Sequence, residues 1–186
     1  MLIQPVRTFD EPKIHLEQYD TSPELATDIV FSCQEKYGCI SNKSVADLGC
    51  GPGILSVSSA LMGAQSIHSF DIDSDALQTF EDNIEEVFLD KSNFEIINAD
   101  VRDVRNLLKP KVFDTVIMNP PFGTQPDNNG IDIIFLETAF HLAKSHIISM
   151  HKTTTRKFII KTAEKMGGEV DVFAELLFDL PKKRIC

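Results

Sequence analysis

Asn119-Pro120-Pro121-Phe122 is the group of residues best suited to chemistry in this chain. It follows the apolar run Thr115–Met118, whose short length and β-forming residues read as a buried strand. Neither proline can donate to a ladder, so the strand must stop there. Pro120 also holds Asn119 extended. The product is a stiff loop at the carboxyl end of a strand, where open α/β sheets bind ligands. The side-chain oxygen of Asn119 and the carbonyl of Pro120 can both accept hydrogen bonds from a planar amine such as that of adenine. Two acceptors hold such a nitrogen toward tetrahedral geometry and aim its lone pair at an electrophile. Phe122 offers a face for a flat base to stack on. The plain alternative is a Pro-Pro turn beside a buried Phe, since a short motif is a hypothesis until its context supports it.

A second cluster lies upstream. The strand Ser44–Leu48 runs into Gly49-Cys50-Gly51-Pro52-Gly53, and a helix follows over Ile54–Met62 up to Gly63. Strand, glycine loop and helix open a nucleotide-binding βαβ unit. The next strand, Ile67–Asp71, ends in an acid 20 positions after Gly51, the place from which a ribose hydroxyl is usually held. Asp71 also reads as part of a strand-end turn, with Asp73 or Ser74 capping a helix over Asp75–Phe88. A dinucleotide fingerprint would put its third glycine where Ile54 stands. Asp47, just before the glycines, would sit close to the ligand. It would repel a pyrophosphate but suit a cationic ligand that carries an amino acid. S-adenosylmethionine, with its sulfonium, α-amino group and adenosine, has that pattern. Asp47 also reads as a loop-capping carboxylate.

The remaining elements must position these two clusters. Met1–Asp20 reads as an irregular lead-in broken by Pro5 and Pro12. Thr21 or Ser22 caps a helix that carries Pro23 in its first turn and runs to Tyr37, where Gly38 stops it. Phe94–Ala99 is a third strand. Asp100 at its end is either a contact for a cofactor's adenine amine or a turn residue. Asp103–Pro110 is a linker with a helical turn. Gly123–Gly130 is a polar, mobile loop of the kind that serves as a lid. Ile131–Lys144 is a helix, His146–Met150 a fifth strand, Phe158–Met166 a helix and Val170–Phe178 a sixth strand. Lys152, Arg156 and Lys157 form the best local candidate for contacting RNA phosphates, or else a solvated first helical turn. Strands alternating with helices give an α/β class with a mainly parallel sheet. The division is a lead-in over 1–20 and one domain over 21–186.

The totals agree with a single domain: 186 residues, 42% hydrophobic and 25% charged. No apolar run approaches the ~18 residues of a membrane span, and a polar N-terminus argues against a signal peptide. Cys33, Cys39, Cys50 and Cys186 show no metal-ligand spacing and read as reduced thiols; no metal site is expected. A formal net charge of −10 is unusual for a protein that grips RNA by its phosphates. A local basic patch, a partner, or a substrate other than nucleic acid would account for it.

With these residues in view, the chain resembles the class I S-adenosylmethionine-dependent methyltransferases, which have a Rossmann-like sandwich with helices on both faces of the sheet. Within them it is similar to the methyltransferase-like five family, N6-adenine methyltransferases of small-subunit ribosomal RNA. The matching landmarks run from Phe9 to Pro181. They include Leu16-Glu17-Gln18-Tyr19, Val45–Gly51, Phe70–Asp73, Phe113–Gly123, His151-Lys152 and Asp179-Leu180-Pro181. The resemblance implies S-adenosylmethionine contacts from Gln18, Thr21, Gly49, Pro52, Ile54, Asp71, Asp100, Val101 and Asn119, with Asn119, Pro120, Pro121 and Phe122 as the catalytic motif. Gly51 and Asp47 join the cofactor set from the reading of the glycine loop. The resemblance further implies a small zinc-binding methyltransferase activator as a heterodimer partner, and a location in nucleus and cytoplasm. Pro52 stands where the family often has another small residue. The family also continues past the equivalent of Pro181 with a basic stretch and a last strand, whereas Lys182–Cys186 ends this sequence. The expectation is therefore a shortened product of lowered stability, with the sixth strand missing its neighbour. The rival functions are glutamine methylation in a protein and a cofactor-binding scaffold without turnover.

Overall fold

The computed structural model describes residues 6–175. They form two compact units, one ending at His151 and one beginning at Lys152.

The first unit contains a five-stranded sheet in the order β3-β2-β1-β4-β5, parallel throughout. Its strands are β1 (Ser44–Leu48), β2 (Ser66–Asp71), β3 (Phe94–Asn98), β4 (Phe113–Met118) and β5 (Ala143–Ser149). Its helices are α1 (Pro23–Tyr37), α2 (Ile54–Leu61), α3 (Ser74–Glu86), α4 (Val101–Leu107) and α5 (Ile131–Leu142). This is the Rossmann-like α/β fold, with helices on both faces of the sheet.

The central strands show why the sheet must be covered. In β1 every residue after Ser44 is buried, and β4 is buried except at Asp114, as expected of parallel strands with both faces packed. Ala26, Val30 and Cys33 of α1 join Leu55 of α2 over Val45, Ile67 and Ile117 of the sheet. Val57 of α2 packs instead with Leu77, Phe80 and Ile84 of α3. Local capping sets the helix ends. The Ser22 hydroxyl accepts the Leu25 N–H at 3.2 Å, Pro23 stands at the first position, and Gly38 closes α1 at φ 61°. Because Ser22 takes the cap, the Thr21 hydroxyl is left for another use.

Several expected boundaries moved. The helix from Ile131 ends at Leu142 rather than Lys144. Its last residues instead enter β5, where Ala143 pairs with Phe113, so ladder bonding overrides helical periodicity. The expected linker after Asp100 is the helix α4, because the Asp100 side chain accepts the Arg102 N–H at 2.9 Å and caps it. The lead-in holds a one-turn 3-10 helix over Ile14–Leu16.

In the second unit, a 3-10 turn over Thr153–Thr155 leads into α6 (Arg156–Lys165). The expected sixth strand is not present over residues 170–175; its remainder lies outside the described residues, as do the C-terminal landmarks.

Candidate active site

The sheet order turns at β1. The chain builds outward from it to β2 and β3, then returns to lay β4 on its other side. A crevice opens at the carboxyl end of such a switch point. Leu48 pairs with Met118, so the residues that follow, Gly49 and Asn119, emerge side by side. Both clusters picked out in the sequence thus face one cleft.

Gly49, Gly51, Pro52 and Ile54 line that cleft, together with Gln18 from the lead-in, Thr21 just ahead of α1, Asp71 from β2, and Asp100 and Val101 at the start of α4. Asn119, Pro120, Pro121 and Phe122 complete it. The glycine loop depends on its small residues. A Cβ on Gly53, at φ 85°, would lie 2.0 Å from the Phe80 ring, and one on Gly51 would lie 2.7 Å from that of Phe9. The Pro52 carbonyl accepts the Asn83 amide at 2.8 Å, so the proline serves the loop through its backbone.

Asp71 takes its expected place in the strand-end turn and also lines the cleft. Its carboxylate accepts the Gly51 N–H at 2.7 Å and the Asp73 N–H at 2.8 Å. This ties the glycine loop to the β2 turn while the group still faces the cleft. Burial pushes its pKa up, partly offset by those two backbone bonds. Asp73, not Ser74, caps α3. Asp100 lines the cleft and caps α4, and its second oxygen pairs with Arg102 at 2.8 Å.

Asp47 is where the structure corrects the sequence reading. It is fully buried and does not line the cleft. One oxygen accepts the Ser56 hydroxyl at 2.6 Å, and Ser56 in turn lies 2.8 Å from Ser69. Among the described residues the other oxygen, Oδ1, has no hydrogen-bond partner. Burial pushes its pKa up to about 7 against the opposing Ser56 bond. The cause is strand alternation: successive side chains point to opposite faces, and position 47 faces α2.

In the Asn-Pro-Pro-Phe turn, the Asn119 amide nitrogen donates to Thr21 Oγ at 3.0 Å. Its oxygen is thereby kept as the acceptor that a planar amine needs. The Phe122 ring lies near-parallel to that of Tyr19, with centroids 6.5 Å apart and planes at 18°.

The lead-in contributes more than its irregular sequence implied. Lys13 Nζ bridges Asp73 and Asp75 at 2.5 and 2.7 Å. The Gln18 amide accepts the Lys13 N–H and donates to Asp73, both at 2.7 Å, so it lines the cleft with its polar atoms already paired. Glu17 binds the loop after Phe122. The expected mobile lid over Gly123–Gly130 is therefore a tied loop with a 3-10 turn at Pro126–Asn128. Sequence reading missed Glu17 and Tyr19 as site residues. Their one local mark is Glu17's left-handed backbone, which a sequence does not display.

The three basic residues proposed for RNA belong to the second unit. Lys157 is exposed, Lys152 and Arg156 are half-buried, and Arg156 is ion-paired with Glu175. The described residues contain no group of three His, Cys, Asp or Glu able to hold a metal.

Residues 21–159 match the family model of the methyltransferase small domain. The rRNA N(6)-adenosine-methyltransferase METTL5 of Danio rerio is 47% identical over 179 residues, 96% of this chain and 84% of the relative. Its counterpart from Drosophila melanogaster is 44% identical over 178 residues, 96% of this chain and 82% of the relative. The chain belongs to the METTL5 family of small-domain methyltransferases. Among solved structures, a candidate RNA methyltransferase from Pyrococcus horikoshii matches with a TM-score of 0.76 at 32% identity, covering 89% of this chain and 78% of that one. A ribosomal protein L11 methylase from Lactobacillus delbrueckii shares the fold, with a TM-score of 0.65 at 16% identity. The matched span of this METTL5-family chain begins at Thr21, so the lead-in that supplies Glu17, Gln18 and Tyr19 to the cleft lies outside the general domain.

Proposed function

We infer that this protein is an S-adenosylmethionine-dependent methyltransferase that modifies N6 of an adenosine in ribosomal RNA. We further assign it to small-subunit RNA and to a heterodimer with a small zinc-binding activator. The observation that carries the reading is the juxtaposition of Asn119 with the glycine loop at the switch point. It puts an amine-binding turn beside a cleft suited to an adenosine-bearing methyl donor. The cleft fits that donor: glycines keep the floor free of side chains, and Asp71 and Asp100 are the carboxylates that would accept from a ribose hydroxyl and an adenine amine.

The donor supplies an electrophilic methyl on a sulfonium, already a good leaving group. The protein's part is positioning. Phe122 stacks on a target base swung out of its helix. Thr21 fixes the Asn119 amide, so that its oxygen and the Pro120 carbonyl accept from the amine and direct its lone pair to the methyl carbon. Held this way, the amine would take up the methyl group that the bound donor supplies, the donor would leave as a neutral sulfide, and the extra proton on nitrogen would pass to water.

Labelled donor incubated with ribosomal RNA, with and without the activator, tests this directly. Label should appear in N6-methyladenosine, and Asn119→Ala should reduce transfer on the order of 10²-fold or more. Label in protein would favour glutamine methylation, and donor binding without transfer would favour a scaffold.

A further inference from the structure

Glu17 is 5% exposed and sits in left-handed backbone at φ 53°, a conformation that costs a non-glycine residue free energy. Burying a carboxylate is also costly unless its oxygens are bonded. Its described partners are neutral donors from a single loop. Oε2 accepts the Phe122 N–H at 3.2 Å and the Thr124 hydroxyl at 2.7 Å. Oε1 accepts the N–H groups of Thr124 and Gln125 at 2.8 and 3.1 Å and the Asn128 amide at 3.1 Å. Burial pulls its pKa up, but these bonds, the Thr124 hydroxyl foremost, outweigh it and hold the group below the usual carboxylate range. Glu17 is therefore an anion at neutral pH, solvated by the chain that follows the catalytic motif.

The same short segment grips the motif at two further points. The Tyr19 ring faces that of Phe122, and Thr21 holds the Asn119 amide. Backbone, ring and amide of the motif are thus all referenced to residues 17–21.

We propose that Glu17 is the positioning residue of the methyl-transfer site, a buried anion that fixes the loop behind Phe122 so that its stacking face and the Asn119 and Pro120 acceptors are in register before the amine arrives. This rests on the function inferred above and deepens it. The acid touches none of the reacting atoms and acts through Phe122 and its loop. Converging N–H and O–H donors explain the residue type. A carboxylate offers about four lone-pair positions and no hydrogens, whereas a glutamine of the same size would turn an NH2 group toward those donors.

The test compares wild type, Glu17→Gln, Thr124→Val and the double variant, with Asn119→Ala as the inactive control. Three readouts are taken: single-turnover transfer to ribosomal RNA, calorimetric S-adenosylmethionine binding, and hydrogen exchange across residues 119–130. Glu17→Gln should slow transfer on the order of 10²-fold, leave donor affinity within about three-fold, and speed exchange at residues 122–125. Thr124→Val should do the same more mildly. The double variant should transfer no more slowly than Glu17→Gln alone, because the two groups act as one unit. Transfer within about three-fold of wild type, a loss matched by equal loss of donor binding, or unchanged exchange would each overturn the proposal. Wild type that methylates no RNA would sink the inferred function, and the exchange comparison would still decide the clamp. Should Glu17→Gln fail to fold, normal transfer and exchange in Thr124→Val would refute it.

Discussion

Asn119 and Asp47 show how much the direction of one side chain decides. Both stand at the ends of neighbouring strands, and both looked like cleft residues. Asn119 reaches the cleft with its nitrogen on Thr21; Asp47 turns the other way, into the layer beneath α2. A carboxylate whose folded pKa is raised to about 7 weakens the fold as the pH rises. Below its unfolded value, about 3.9, the acid is protonated in both states and contributes nothing. Between that value and 7 the unfolded chain releases a proton that the native one keeps, so the cost grows and is complete above 7. Asp47→Asn should therefore raise the melting temperature of the ligand-free protein at pH 8, by a few kcal/mol in stability. The advantage should shrink at pH 5, as thermal melts at both values would show. Equal gains at both would mean that Asp47 titrates normally.

At the scale of elements, the lead-in is the surprise. It contributes one turn of 3-10 helix, yet it joins the start of α3 to the loop after β4. The first joint is Asp73, which caps α3 and takes Lys13 and Gln18. Burial raises its pKa, but the bonds from Lys13, Gln18 and Asp75 outweigh this and leave it depressed. For such a group the sign is opposite to that of Asp47. The stabilisation is present above the unfolded value and disappears as the pH falls through the folded one. Asp73→Ala should cost about 1–2 kcal/mol at neutral pH through the lost cap, more if the lead-in detaches with it. In urea titrations the gap from wild type should close in acid. A gap independent of pH would assign the loss to packing instead.

Across the whole molecule, charge and architecture pull apart. The fold provides a cleft for a nucleoside donor, while a net charge of −10 opposes an RNA polyanion. Of the three basic residues considered for phosphate contact, Arg156 is already paired with Glu175. The chain alone should therefore bind a ribosomal RNA fragment weakly, with a shallow dependence on salt. The activator subunit proposed above should raise the affinity at least about ten-fold and steepen that dependence as more phosphates are neutralised. Filter binding between about 50 and 200 mM salt would check this. Tight, steeply salt-dependent binding by the single chain would show that it carries its own phosphate site.

Read without coordinates, the sequence already determined the alternation of strand and helix, the β1–glycine loop–α2 unit, the acid at the end of β2, the caps of α1 and the Asn-Pro-Pro-Phe turn. Apart from that acid, read from its spacing of 20 positions from Gly51, each is written in residues within a few positions of one another, because propensity, proline geometry and capping act over one or two turns. The tertiary structure decided the rest. Whether Asp47 faces ligand or core depended on which helix covers that side of β1. Whether Asp100 begins a loop or a helix depended on a cap competing with a ligand role. Glu17 gained its importance from donors 105 to 111 positions away. No local pattern encodes such a meeting, since it exists only once β4 lies beside β1 and brings the loop after Phe122 up against the lead-in.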